Sequence, residues 1–306
     1  LYWRSFSHWL GGMGILVFLL AVVPEARKSA GSGMYLMRAE SPGPSVGKLT
    51  PHLRQTALIL YGLYMLLTAL CIGFLLLGGM PLFDSLCIAF GTAGTGGFAI
   101  RNSGMADYSA YLQNVVTVFM FLFGVNFSLY YLLLLRQFKS VFKNEELRLY
   151  AGIAVGAIVL ITIDISRMYG SVREALHHAA FQVSSIMTTT GFASVDFEQW
   201  PAFSKAVLLA LMFVGACAGS TAGGLKVSRV LLLLKSIRRT VRRAIHPRRV
   251  QSVRMDGRVV DAAVLNNVNA YLAVYCVILL LSFVVVSVDG YSIGTNLSAV
   301  ASCFNN

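Results

Sequence analysis

Two short runs in this chain bring together residue types that offer many oxygens and little bulk: Thr92-Ala93-Gly94-Thr95-Gly96 and Thr188-Thr189-Thr190-Gly191. Glycine opens backbone conformations closed to other residues, so the carbonyls of such a run can turn to one side together. Rings of carbonyls, helped by threonine hydroxyls, can replace the hydration shell of a monovalent cation. No carboxylate lies in either run, whereas calcium and magnesium sites are built largely on carboxylates. The chemistry on offer is coordination by neutral dipoles. For a single run, an ordinary helix-ending turn explains the sequence as well. Two equivalent runs favour the coordinating reading.

These runs need elements that hold irregular backbone in place. Of 306 residues, 57% are apolar and 12% charged, against about 25% charged in an ordinary soluble domain. A bilayer is the solvent this composition requires. A membrane-crossing helix takes about 20 apolar residues, and stretches of 10–14 mark re-entrant or buried helices. Long apolar stretches run over 6–24, 56–79, 114–135, 149–163, 206–234 (interrupted) and 268–288, and short ones over 81–90, 175–187 and 294–304. Each short stretch follows a long one and leads into a polar, small-residue run; the third leads into Asn305-Asn306. Thr95-Gly96 and Thr190-Gly191 pair as repeats, 95 residues apart. At membrane depth, such irregular backbone survives only where it is buried in protein or lines a watery cavity. Each short helix directs its partly negative C-terminal end at the run behind it. The fold class is therefore an all-α polytopic membrane protein of repeated membrane helix, pore helix, filter loop and membrane helix.

Charge placement fixes orientation. The connections 25–55, 136–148 and 226–258 hold 5, 4 and 11 of the 25 Lys and Arg, and cationic connections stay cytoplasmic. The short helices then enter from outside. Arg238-Arg239, Arg242-Arg243 and Arg248-Arg249 need no nucleic acid to explain them, although the formal charge is +12.

A further interruption falls at 215–224, GACAGSTAGG, inside the stretch 206–234. Four glycines in ten residues each cost up to about 1 kcal/mol in a helix, and broken helices at mid-membrane mark transport sites. Close small-residue helix packing around Gly215 and Gly219 is the alternative. Lys226, just beyond, either senses a permeating ion or snorkels to the cytoplasmic interface.

Several residues carry less. His177-His178 on the short helix of unit three read as packing or surface residues. Cys71, Cys87, Cys217, Cys276 and Cys303 read as buried small hydrophobes. Asp84, Asp107, Asp196, Glu198 and Asp289 lie toward the outer side, where cation attraction and plain loop solvation explain them equally. Trp3, Trp9 and Trp200 fit interface anchoring. No nucleotide loop, nucleophile elbow or catalytic carboxylate pair appears in the sequence, and no enzymatic activity is expected.

The chain resembles the Trk/Ktr/HKT superfamily of potassium transporters, and within it the TrkH-type branch. The resemblance rests on Trp9-Leu10-Gly11-Gly12-Met13-Gly14-Ile15, Thr95-Gly96-Gly97-Phe98, Thr188-Thr189-Thr190-Gly191-Phe192, Ala218-Gly219-Ser220-Thr221-Ala222-Gly223-Gly224-Leu225-Lys226, and His246-Pro247 with the basic run after it. It covers essentially the whole chain. It implies four membrane–pore-loop–membrane units around one pseudo-fourfold pore, of which this chain is a fragment. Residues 1–55 would hold the second helix of unit one and a cytoplasmic loop, 56–148 unit two, 149–258 unit three, and 259–306 the start of unit four.

By the same resemblance, Thr92, Ala93, Gly94, Thr95 and Gly96, then Thr188, Thr189, Thr190 and Gly191, then Asn305 and Asn306 bind K+ in the filter, with Gly96 and Gly191 as filter glycines. Gly215, Gly219, Ser220, Thr221, Ala222, Gly223, Gly224 and Lys226 form a gate loop below it. Implied too are a bacterial inner membrane, a homodimer, and a cytosolic nucleotide-binding regulatory subunit of the TrkA/KtrA type docking on 226–258. Asparagines in the fourth loop make the filter asymmetric, so sodium-preferring or non-selective transport stays open beside potassium uptake, as does a non-conducting scaffold.

Overall fold

The structure, a computed structural model, describes residues 1–12, 14, 53–246 and 252–306. Met13 and residues 15–24 of the first predicted span, most of the connection 25–55 and residues 247–251 of the basic run lie outside the described residues.

Apolar sequence and capping residues set the elements. Helix α1 is Tyr2–Gly12, the described part of the first span. Unit two starts with α2, Leu53–Leu77, followed by the short α3, Leu82–Ala93. It continues through α4, Ala110–Phe123, and α5, Phe127–Leu134. A short helix, α6 (Phe138–Lys143), leads to unit three: α7, Glu145–Ile165, and the short α8, Val172–Met187. Helices α9, Ala202–Val214, and α10, Val227–Ile245, flank the interruption. A hairpin of β1, Arg254–Met255, and β2, Arg258–Val259, precedes α11, Ala262–Val286, and the short α12, Ile293–Asn305. Side chains of Ser109, Asn126, Asn144, Ser171, Asp261 and Ser292 cap the N-termini of α4, α5, α7, α8, α11 and α12, each supplying an acceptor for an otherwise orphaned N–H.

Among the described residues, α2, α7 and α11 are long and apolar enough to cross a bilayer singly. At about 1.5 Å per residue, the 25 residues of α2 reach past a hydrocarbon core of about 30 Å. The expected continuous span over 114–135 is corrected: α4 and α5 are separate helices bent by 91°. The bend is set by contacts with later parts of the chain. Gly124 sits so close to Tyr150 Oη and Thr188 Cγ2 that a Cβ there would overlap both. Asn126 restarts the helix by accepting from Ser128 N at 2.9 Å. Of the backbone groups freed at the bend, Gly124 O accepts from Cys217 N and Phe127 N donates to Gly219 O, both at 3.0 Å.

The units follow one packing rule. Each short helix packs against the long helix ahead of it and against an earlier helix of the preceding unit: α3 on α2 and α1, α8 on α7 and α4, α12 on α11 and α9. This wraps the short helices around a common centre. One apolar cluster joins Trp9, Tyr64, Phe90, Phe123 and Phe127 of the first two units; a second joins Tyr150, Ile161, Val183 and Leu208 of unit three.

Two minor expectations change. Trp9 and Trp200 are core residues, with Trp9 Nε1 donating to Thr68 Oγ1 and Trp200 Nε1 to Tyr169 Oη, both at 3.1 Å; only Trp3 is exposed. Cys71, Cys87 and Cys217 are buried, but Cys276 of α11, a helix with little buried surface, and Cys303 of α12 are exposed.

Candidate functional site: two convergent loops and the segment beneath them

Helices α3 and α8 end in loops of one conformation. After α3, Gly94 N bonds to Phe90 O, Thr95 N to Thr92 O, and Gly96 N to Gly91 O. After α8, Thr188 N bonds to Ser184 O, Thr189 N to Ile186 O, and Thr190 N to Ser185 O. Every partner is displaced by 94 residues, so the expected pairing of Gly96 with Gly191 at a spacing of 95 is corrected. Gly96 matches Thr190, and Gly97 matches Gly191; both of these glycines have positive φ, +61° and +87°. The signal was in the sequence: aligning the Gly-Phe pairs Gly97-Phe98 and Gly191-Phe192 returns 94. Thr95 and Thr189 adopt φ of 57° and 56°. For β-branched residues this left-handed backbone is a true outlier costing on the order of 1–2 kcal/mol, and its repetition in two loops marks a designed turn.

The predicted residues divide by position. Thr92 and Ala93 belong to the last turn of α3, not to the loop, and are fully buried; the Thr92 hydroxyl donates to Ile88 O at 2.8 Å. Thr188 is also fully buried, donating to Ser184 O at 2.6 Å and accepting from Thr190 Oγ1 at 2.8 Å. Their side chains brace the loops. Gly94, Thr95, Thr221 and Asn306 line one cavity of about 540 Å³. Gly96, Thr189, Thr190, Gly191, Asn305 and Asn306 line a second of about 410 Å³. Arg4, His8 and Phe98 line both; Arg4 and His8 were not singled out in the sequence, and Phe98 only as the end of the motif Thr95-Gly96-Gly97-Phe98. Arg4 stacks over the Phe98 ring at 3.7 Å from its centroid. The Asn306 side-chain amide donates to both Thr95 O and Thr189 O. Two carbonyls from different units thus meet at one nitrogen. Asn305 instead spends its side chain on Tyr275 Oη and Ala301 O, both at 2.7 Å.

The predicted interruption of 206–234 holds: between α9 and α10 the chain is irregular over residues 215–226, and Gly215, Gly219, Gly224 and Lys226 have positive φ. This segment hydrogen-bonds to both loops and to α12. Thr95 Oγ1 donates to Thr221 O at 3.2 Å, Gly223 N donates to Thr189 Oγ1 at 2.7 Å, and Gly224 N donates to Asn305 O at 3.1 Å. Ser220 Oγ donates to Cys217 O at 2.6 Å, and Ala222 is buried. Lys226 does not snorkel: it is buried, and its ammonium donates to Ala222 O. From outside the segment, buried Glu146 accepts from Ala218 N at 2.6 Å.

His177 bonds to Gln113 and Asn114 of α4, and His178 to Ser194. His177 packs between units two and three, and His178 packs within unit three. No group of three or more possible metal-ligating His, Cys, Asp or Glu occurs among the described residues.

Comparison with known proteins converges with this geometry. The chain is 33% identical over 311 residues to the Trk system potassium uptake protein TrkH of Escherichia coli K12, covering all of this chain and 64% of that protein. It is 34% identical to the Trk system potassium uptake protein TrkG of the same organism, covering 63% of it. The crystal structure of the potassium transporter TrkH from Vibrio parahaemolyticus superposes with a TM-score of 0.82 at 30% identity, over 98% of this chain and 62% of that one. The chain therefore spans just under two thirds of the length of these relatives. The family pattern of TrkH, cation transport protein, matches residues 1–306 without remainder, and with the repeated helix–loop–helix units and the membrane-length helices this chain belongs to the TrkH family of membrane transport proteins.

Proposed function

We propose that this chain supplies much of a gated pore that takes potassium ions into a bacterial cell across its inner membrane. The observation that carries the reading is the convergence of Thr95 O and Thr189 O, from repeat-related strained turns, on one Asn306 nitrogen. A weakly hydrated monovalent cation is the ligand that such neutral oxygens suit. The ends of α3, α8 and α12 add three partly negative helix termini around the same centre. In this reading the filter is formed by Gly94, Thr95, Gly96, Thr189, Thr190, Gly191 and Asn306, with Gly97 at the position equivalent to Gly191. Thr92, Ala93, Thr188 and Asn305 support it from behind. The units divide at 1–55, 56–148, 149–258 and 259–306.

Segment 215–226 is the gate. It sits against both filter loops and α12, and small glycine-rich backbone is what can move there without emptying a packed core. An inside-negative potential drives entry with about 2.3 kcal/mol per charge per 100 mV, so control at this segment is enough to regulate flux. The cationic surface of α10 and the residues after it is the docking face for a cytosolic nucleotide-binding subunit, and the full protein is a homodimer. Failure of the full-length protein to co-purify with such a subunit would remove that partner from the reading.

The test of the pore itself uses the full-length gene in a bacterium lacking its own potassium uptake. Wild type restores growth on low potassium. Gly191→Ser places a Cβ at φ +87° and weakens rescue or moves preference toward sodium. Rescue indifferent to the substitution would overturn the filter.

A further inference from the structure

Two consecutive carboxylates open α7, and they hold two different things. Glu146, 2% exposed, accepts at one oxygen from Ala218 N at 2.6 Å and from Ser228 N at 3.1 Å. It therefore ties the segment 215–226 to the first turn of α10. Glu145 faces the cytoplasmic side, as neighbours about 100° apart around a helix must diverge. Its Oε2 accepts from Lys235 Nζ of α10 and from Asp256 N at 3.1 Å. Asp256 answers by accepting from Glu145 N at 2.9 Å and from Asn144 Nδ2 at 2.9 Å.

Asp256 occupies the turn of the β1–β2 hairpin, an Asp-Gly pair with φ of 48° and 79°. Such two-residue turns fix a hairpin rigidly. Val253 and Met255 press the hairpin onto Leu232 of α10 and Leu265 of α11. A rigid cytoplasmic hairpin, the start of α10 and the intramembrane segment thus all meet on one turn of α7.

We infer that this turn is the latch of the pore: Glu146 is the positioning residue that holds segment 215–226 in the obstructing conformation, and the hairpin, through Asp256 and Glu145, is the handle by which a cytoplasmic event releases it. The inference rests on the reading of 215–226 as a gate. It adds the place where force enters and the residue that transmits it. Displacing the hairpin pulls on Asn144 and Glu145, and the adjacent Glu146 can then no longer satisfy Ala218 and Ser228 together.

The experiment uses the full-length transporter in potassium-loaded proteoliposomes without any cytosolic partner, with rubidium as tracer. Glu146→Ala leaves two buried N–H groups without their acceptor and raises basal flux roughly tenfold. Glu146→Gln keeps an acceptor oxygen and stays within about twofold of wild type. The potassium-to-sodium permeability ratio is unchanged in both. Asp256→Ala, remote from the pore, raises basal flux in the same direction. Monodisperse Glu146→Ala protein with wild-type flux overturns the latch, and so does an altered permeability ratio, which would put Glu146 in the ion path. Should Glu146→Ala fail to assemble, Asp256→Ala decides: raised flux supports the latch and wild-type flux overturns it. Gly191→Ser measured alongside separates the two readings. An effect there with silent Glu146→Ala removes the latch alone, and silence in both removes the pore as well.

Discussion

The carbonyl oxygens of Thr95 and Thr189, 94 residues apart in sequence, accept hydrogen bonds from the same Asn306 side-chain nitrogen, and both residues hold the left-handed backbone that turns those carbonyls inward. The hydroxyls of the same two residues reach the segment below, one to Thr221 O and one from Gly223 N. Each threonine therefore touches the proposed ion path with its backbone and the proposed gate with its side chain. Conduction and gating share residues at this point, and substitutions can separate them.

The first separation concerns Thr189. Valine preserves its shape and removes the acceptor of Gly223 N, a bond of 2.7 Å with a net value of about 1 kcal/mol. Thr189→Val in the full-length protein is expected to raise basal rubidium flux about fivefold, while Thr189→Ser stays near wild type. Equal flux in the two variants would detach the hydroxyl from gating.

Thr188 predicts the opposite pattern. Its hydroxyl is buried between Ser184 O and Thr190 Oγ1, and Thr188 lines neither of the two cavities described above. Thr188→Val should cost about 1–3 kcal/mol of stability, seen as a lower thermal midpoint in detergent, with the permeability ratio of the surviving protein unchanged. A changed ratio at unchanged stability would return Thr188 to the ion-binding set.

The repeat spacing is testable at Gly97. Alanine there carries the left-handed penalty and also drives its Cβ into Thr190 O and Gly191 C of the neighbouring loop. At Gly191, alanine meets open space and carries the penalty alone, about 1–2 kcal/mol. Gly97→Ala should therefore reduce potassium uptake more than Gly191→Ala, by about tenfold or more. The reverse order would restore the 95-residue pairing.

The bend between α4 and α5 supplies a coupled pair. A Cβ at Gly124 overlaps Tyr150 Oη, so Gly124→Ala is destabilising. Tyr150→Phe removes that oxygen, and with it a 3.1 Å bond to Phe121 O. Residues in direct contact are non-additive, and the double variant should be more stable than the sum of the two single losses. Strict additivity in thermal unfolding would show that the contact does not set the bend.

The sequence by itself determined the alternation of long and short apolar helices, the break at 215–224 and the two polar loops. Hydropathy, glycine content and charge are properties of consecutive residues, and the bilayer reads them locally. Tertiary structure decided the rest, because the causes lie far along the chain. The stretch 114–135 is apolar apart from a few small polar residues, Asn126 and Ser128 near its middle among them, yet it bends where its freed Gly124 O and Phe127 N find Cys217 and Gly219 about ninety residues away. Glu145 and Glu146 look like ordinary acids at a helix start; only packing reveals that one holds a hairpin and the other the intramembrane segment. The 94-residue register was legible in the Gly-Phe pairs but ambiguous among repeated Thr and Gly, and the hydrogen bonds to Gly91 O and Ser185 O chose it. A run of similar small residues can slide against its repeat at little sequence cost. Its backbone cannot, since each carbonyl has one position from which it faces the centre.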